Sequence, residues 1–230
     1  TSSTPLERRS SERVRGSLGE NDLKAPFGFV ICISLLGSGL AIGGREAVGT
    51  APGNDTRQAI PYADVQRVLD GKCTSCHTGA DAARGLHLDS WQALIAGSDH
   101  GEAVIPFDAV RSLLVELTTK LVGGPHPAEV GGERLTEAEV ALLSEWIDEG
   151  APSETGGIPY ADAQHLLYAA NQSVAVVSVI DMETNQVIRT VDLQELGFPE
   201  NASPHHIAVE PDGSHWYVSL ITANQILKFD

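Results

Sequence analysis

Cysteine, methionine and positive charge are all scarce in this chain. Its 230 residues include three cysteines, one methionine, and 15 Lys+Arg against 31 Asp+Glu. Three thiols cannot build the disulfide framework on which many small exported domains depend. A formal charge of −16 repels nucleic acid and anionic lipid, and it favours partners with a basic docking surface. The glycine pairs Gly123-Gly124 and Gly131-Gly132 lack the residue order of a phosphate-binding loop. Nucleotide-binding and serine-hydrolase readings therefore find no support. Long apolar runs are missing with one exception, residues 27–44, which read FGFVICISLLGSGLAIGG and carry no charge.

That run is long for the core of a signal peptide and near the lower limit for a membrane-spanning helix. It follows a polar leader with Arg8, Arg9, Arg13, Arg15 and Lys24. Residues 1–44 thus read as an export signal or a membrane-anchor helix, and Gly39-Leu40-Ala41 suits cleavage by a signal peptidase. Cys32 follows Phe29-Val30-Ile31, which lacks the small residues of a lipid-attachment box. Ten basic residues face 27 acidic ones after residue 44, so the acidity belongs to the exported body. Periplasmic or extracellular placement follows, with a membrane anchor as the variant. Residues 45–59 are polar and read as a linker.

The other two cysteines sit in Cys73-Thr74-Ser75-Cys76-His77. This spacing is the attachment signature of a c-type haem. One turn of chain lets both thiols add to the two vinyl groups of one porphyrin, and it leaves the following histidine as an iron ligand. Cys73 and Cys76 are then thioether anchors, His77 is the proximal ligand, and the cofactor is one covalent haem c. A zinc knuckle wants four nitrogen or sulfur ligands, often as two such pairs, and a redox Cys-x-x-Cys pair is the other competing reading.

The surroundings read as helical. Pro61 suits a helix start, and Tyr62, Val65, Val68 and Leu69 recur at helical spacing into Cys73. Further helices are predicted around 91–96 and from about 108 to 122. The last predicted helix has Thr136 and Glu139 as a capping box, with Val140, Leu143, Trp146 and Ile147 as its apolar stripe. Gly150 and Pro152 stop it.

The run 60–152 resembles the single-haem cytochrome c domains of planctomycete-type exported proteins. The resemblance rests on CTSCH, GLHLDSWQALIAGSDHGEAVIP, RSLLVEL and LTEAEVALLSEWIDEGAP. It implies a mainly α fold around one haem c. In that family a Met-Pro pair ahead of the final helix supplies the sixth iron ligand. This chain departs there, because its one methionine is Met182 and the matching place reads Gly-Pro-His126-Pro127. The resemblance therefore points to His126 as the sixth ligand and to bis-histidine iron. His100, His87 and a water-bound site stay open as alternatives.

Residues 153–157 form a short polar linker, and the pattern then turns to strands. Residues 174–180, 186–193, 206–210, 216–220 and 225–229 are the predicted strands, giving a C-terminal all-β, propeller-blade-like segment over 158–230. LYAANQSVAVVSVID, ending at Asp181, echoes WYVSLITANQILKFD, ending at Asp230. HHIAVEPDGSHWYVS resembles the YVTN-type β-propeller repeat. About one and a half blades are present, which leaves edges for an assembly to cover or marks a piece of a larger propeller. Ile60-Pro61-Tyr62-Ala63-Asp64 also returns as Ile158-Pro159-Tyr160-Ala161-Asp162. The His205-His206 pair is a candidate metal site or a blade-entrance pair of polar residues.

Two strong nitrogen ligands leave iron no open position, so the sequence reads as an electron-transfer protein rather than a catalyst by itself. It implies a redox partner protein. The competing readings are an electron-accepting haem module of a larger propeller oxidoreductase and a haem-bearing structural subunit of an assembly.

Overall fold

The computed structural model describes residues 31–33, 59–120 and 124–230. Two hydrophobic cores organise them: one gathers residues from Tyr62 to Ala151, and the other residues from Ala175 to Phe229.

Helix α1 (Tyr62–Lys72) starts after Pro61, whose extended backbone and missing N–H suit the position before a first turn. It buries Tyr62, Val65 and Leu69 against the last helix of the domain. Ser90 caps α2 (Trp91–Ala96) by accepting from the Ala93 amide. Helix α3 (Leu113–Thr119) is shorter than the predicted 108–122 segment, whose residues 121 and 122 lie outside the described residues. Side chains compete for the backbone at its start. The Asp108 carboxylate accepts from the Arg111 amide at 3.0 Å, and the buried Ser112 hydroxyl accepts from Ile105 N at 2.8 Å. Helix α4 (Glu137–Asp148) carries the expected capping box, with the Thr136 hydroxyl on the Glu139 amide and the Glu139 carboxylate on the Thr136 amide. Leu143, Trp146 and Ile147 are fully buried along it.

The β region begins away from its place in the chain. Of the predicted export helix, only Ile31–Ile33 is described, and it is a strand, β1. Its backbone pairs antiparallel with a strand near residue 230, so a sheet edge takes up its amides. The rest of the signal or anchor segment and nearly all of the 45–59 linker lie outside the described residues. Among the described residues no helix is long and apolar enough to cross a membrane.

Strands β2 (Leu166–Asn171), β3 (Val176–Asp181) and β4 (Gln186–Asp192) form one antiparallel meander. Strands β5 (Pro204–Val209), β6 (Trp216–Leu220) and β7 (Gln225–Phe229) form a second, which β1 extends. Alternation is clean in β6, with Trp216, Val218 and Leu220 buried, and Tyr168, Trp216 and Phe229 stack beneath it. The sequence echo superposes β2–β3 on β6–β7, and Ala175 and Asn224 hold the same left-handed turn position at φ 52°. By the same correspondence, β1 pairs with β7 at the place where β4 pairs with β3.

The two cores are joined through β4. Arg111 bridges Asp108 at 3.1 Å and Asp192 at 2.6 Å, and the Thr190 hydroxyl donates to Asp108. The Arg189 guanidinium lies 3.8 Å over the Phe107 ring. The second Ile-Pro-Tyr-Ala-Asp copy is not helical: the Tyr160 hydroxyl donates to Ile95 O at 2.9 Å and to the Gln186 side chain, whose amide donates to Ala96 O. This second copy therefore serves as a docking element, while the first opens a helix.

Candidate haem site

Helix α1 delivers Cys73 as its last half-turn residue. Cys73 N donates to Leu69 O at 2.8 Å, and the chain then closes one more turn, with Cys76 N and His77 N both donating to Cys73 O at 3.1 Å. Thr74 braces that turn through its hydroxyl on Asp70 O. The turn places both thiols and the imidazole on one short stretch of fixed backbone. Cys73 is buried and Cys76 exposed, and both thiols are free. Burial, with some help from Glu139, pushes the Cys73 thiol up to about 11.

His77 is buried against the segment that follows. Its carbonyl accepts from Leu88 N at 2.9 Å, and the Cys76 carbonyl accepts from Ala83 N at 2.9 Å. Burial lowers its ring below the ordinary imidazole range; the Leu86 and Ala83 backbone opposes the shift and neighbouring His126 adds to it. The neutral form is the one a metal binds. Nδ1 of His77 is buried and has no hydrogen-bond partner among the described residues.

His126 lies across from it. The two rings stand 5.9 Å apart between centroids at 67°. The loop carrying His126 is pinned by its amide, which donates to Leu117 O in α3 at 2.9 Å. Nδ1 of His126 is 3.5 Å from Glu129 Oε1, a residue the motif reading passed over although it lies only three positions on. His100 is exposed, His87 is partly exposed, and Met182 is 57% exposed in the β3–β4 turn. His205 and His206 are exposed on β5. Among the described residues no group of three or more His, Cys, Asp or Glu side chains is placed to hold a metal ion.

These residues fit a porphyrin. Two free thiols and a buried imidazole with an orphaned nitrogen lie on one turn, and a second imidazole faces the first. A metal holding one imidazole nitrogen at about 2.0 Å on either side separates the ring centroids by roughly 6 Å, close to the spacing seen here. On the outer side of the motif turn, a groove of about 570 Å³ is lined by Tyr62, Asp70, Thr74, Ser75, Asp89 and Glu154 among others.

Residues 73–123 match the family described as Planctomycete cytochrome C. The match begins at the first cysteine of the motif and supports a c-type cytochrome domain with its haem. No curated protein matches the chain.

Proposed function

We propose that this chain is an exported monohaem c-type cytochrome that transfers electrons through a bis-histidine haem. The observation that carries the reading is the facing pair His77 and His126 beside the two free thiols. When bound, haem c supplies a one-electron ferric–ferrous couple. Cys73 and Cys76 would hold it through thioethers, and His77 and His126 would be its iron ligands. With two imidazoles as ligands the iron would have no open position, and these residues would favour electron relay over substrate activation. Imidazole in place of methionine lowers the reduction potential.

The acidic surface, including Asp70, Asp89 and Glu154 beside the exposed Cys76 turn, favours a redox partner with a basic face. Association should weaken with added salt. The β region favours a second reading, in which the haem domain is the electron-accepting module of a larger propeller oxidoreductase. Its support is the pair of packed three-stranded meanders related by an internal echo. Haem reduction driven by a substrate, without an added donor, would favour that module.

The test is the visible and electron paramagnetic resonance spectrum of protein matured with haem, compared with His126→Ala. Low-spin oxidised and reduced states without a methionine–iron band, turning high-spin in H126A, are expected. An unchanged mutant spectrum would move the sixth ligand elsewhere. Absence of covalent haem would overturn the reading.

A further inference from the structure

The Nδ1 atoms of the two facing imidazoles have unlike surroundings. Nδ1 of His77 is buried without a hydrogen-bond partner, beside the Leu86 and Ala83 backbone, whereas Nδ1 of His126 lies 3.5 Å from the Glu129 carboxylate. Glu129 sits in a short 3-10 turn, 128–130, that follows directly on His126-Pro127. The Val130 amide donates to Pro127 O, and the Glu129 amide to Pro125 O at 3.2 Å. The carboxylate is thus tied by backbone bonds to the segment that carries the ring. The His126 and Glu129 side chains are 29% and 30% exposed, so solvent screens the pair only in part.

We infer that Glu129 is a positioning residue for His126, a role that rests on the bis-histidine reading. The Glu129 carboxylate lies 3.5 Å from Nδ1 of His126, near enough to draw that nitrogen's side of the ring towards it and to leave Nε2 for the bound group. A carboxylate on the outer N–H fixes the ring's orientation and makes the inner nitrogen a stronger base. A stronger donor stabilises the ferric state more than the ferrous one. Glu129 would therefore make His126 the stronger donor of the two imidazoles to a haem held between them, and would lower the potential from that side.

The experiment is a spectroelectrochemical titration of the full haem-loaded chain as wild type, Glu129→Gln, Glu129→Asp and Glu137→Gln. E129Q keeps the shape but loses the charge. It should stay low-spin while its ferric preference falls roughly tenfold, equivalent to an upward shift of about 59 mV for a one-electron couple. E129D, which keeps the charge on a shorter arm, should shift less. E137Q removes the same unit of charge from the exposed start of α4 and should move the potential little. A low-spin E129Q with the wild-type potential overturns the role of Glu129 and leaves bis-histidine ligation standing. An E137Q shift equal to that of E129Q also overturns it, since the effect would then be general charge. A wild-type spectrum that is not low-spin overturns the ligation itself, and with it the role of Glu129.

Discussion

Glu210 accepts from three side chains at once: the Tyr217 hydroxyl at 2.6 Å, His215 Nδ1 at 3.0 Å and the Ser214 hydroxyl at 2.8 Å. Those bonds, Tyr217 first, hold its carboxyl down to about 2. It spans the Pro211-Asp212-Gly213 turn, and its amide donates to His215 O at 2.8 Å. The folded-state value lies below the unfolded one, so the contribution is present above about pH 4.5 and is lost as pH falls towards 2. The thermal midpoint of the β region should therefore fall over that window. Glu210→Gln should flatten this dependence, which calorimetry at a series of pH values would show. Single residues were also where the sequence was most readable. The Cys73-Thr74-Ser75-Cys76-His77 spacing is the pattern of c-type haem attachment, and the family match that begins at Cys73 supports a c-type cytochrome domain there. His126 needed a family pattern to single it out, and Glu129 had no signal beyond its nearness in sequence. Which of several acidic side chains meets a ring depends on the turn between them, and composition does not encode that.

At the scale of elements, capping explains both what was legible and what was missed. Thr136 and Glu139 define the start of α4 by reciprocal bonds to orphaned amides. Thr136→Ala should destabilise the domain by about 1 kcal/mol, read as a lower urea midpoint with unchanged slope. The same kind of side-chain competition misleads at α3, where Asp108 and Ser112 satisfy backbone groups in a non-helical turn. The predicted helix, from about 108, therefore starts ahead of the observed Leu113. Strand β2 escaped notice for a different reason. Its sequence, Leu-Leu-Tyr-Ala-Ala-Asn, has no period-two alternation, and its burial is intermediate along most of its length. Only the echo with β6 marks it. Within the uncharged run 27–44, Ile31–Ile33 is extended and paired with β7, and the rest of the run lies outside the described residues.

At the scale of the whole molecule, the junction between the two cores is polar and centred on Arg111. One guanidinium serves two carboxylates, Asp108 and Asp192, whose side chains are 8% and 14% exposed. Arg111→Ala leaves both without their cation and should cost about 2 kcal/mol. Tryptophan fluorescence and circular dichroism should then report separate unfolding midpoints for the helical and β parts. The second Ile-Pro-Tyr-Ala-Asp copy marked one part of this junction in the sequence, but the Arg111 pairs had no signal, because Asp108 and Asp192 come from distant parts of the chain, a turn and strand β4.

That distance has a consequence for how the protein is made. Arg111 and Asp192 are 81 residues apart in the chain, and Ala96 and Gln186 are 90 apart, whereas the motif turn is built from bonds spanning three to five residues. Loops that long close late and at an entropic cost, while local turns form early. During synthesis Cys73 and Cys76 thus emerge and adopt their turn well before β4 exists to clamp the domain. On the proposed haem reading, the order of the chain supplies an interval in which both thiols are open to haem attachment before β4 clamps the domain. Moving the β region ahead of the motif by circular permutation would shorten that interval and should lower the fraction of molecules that acquire haem.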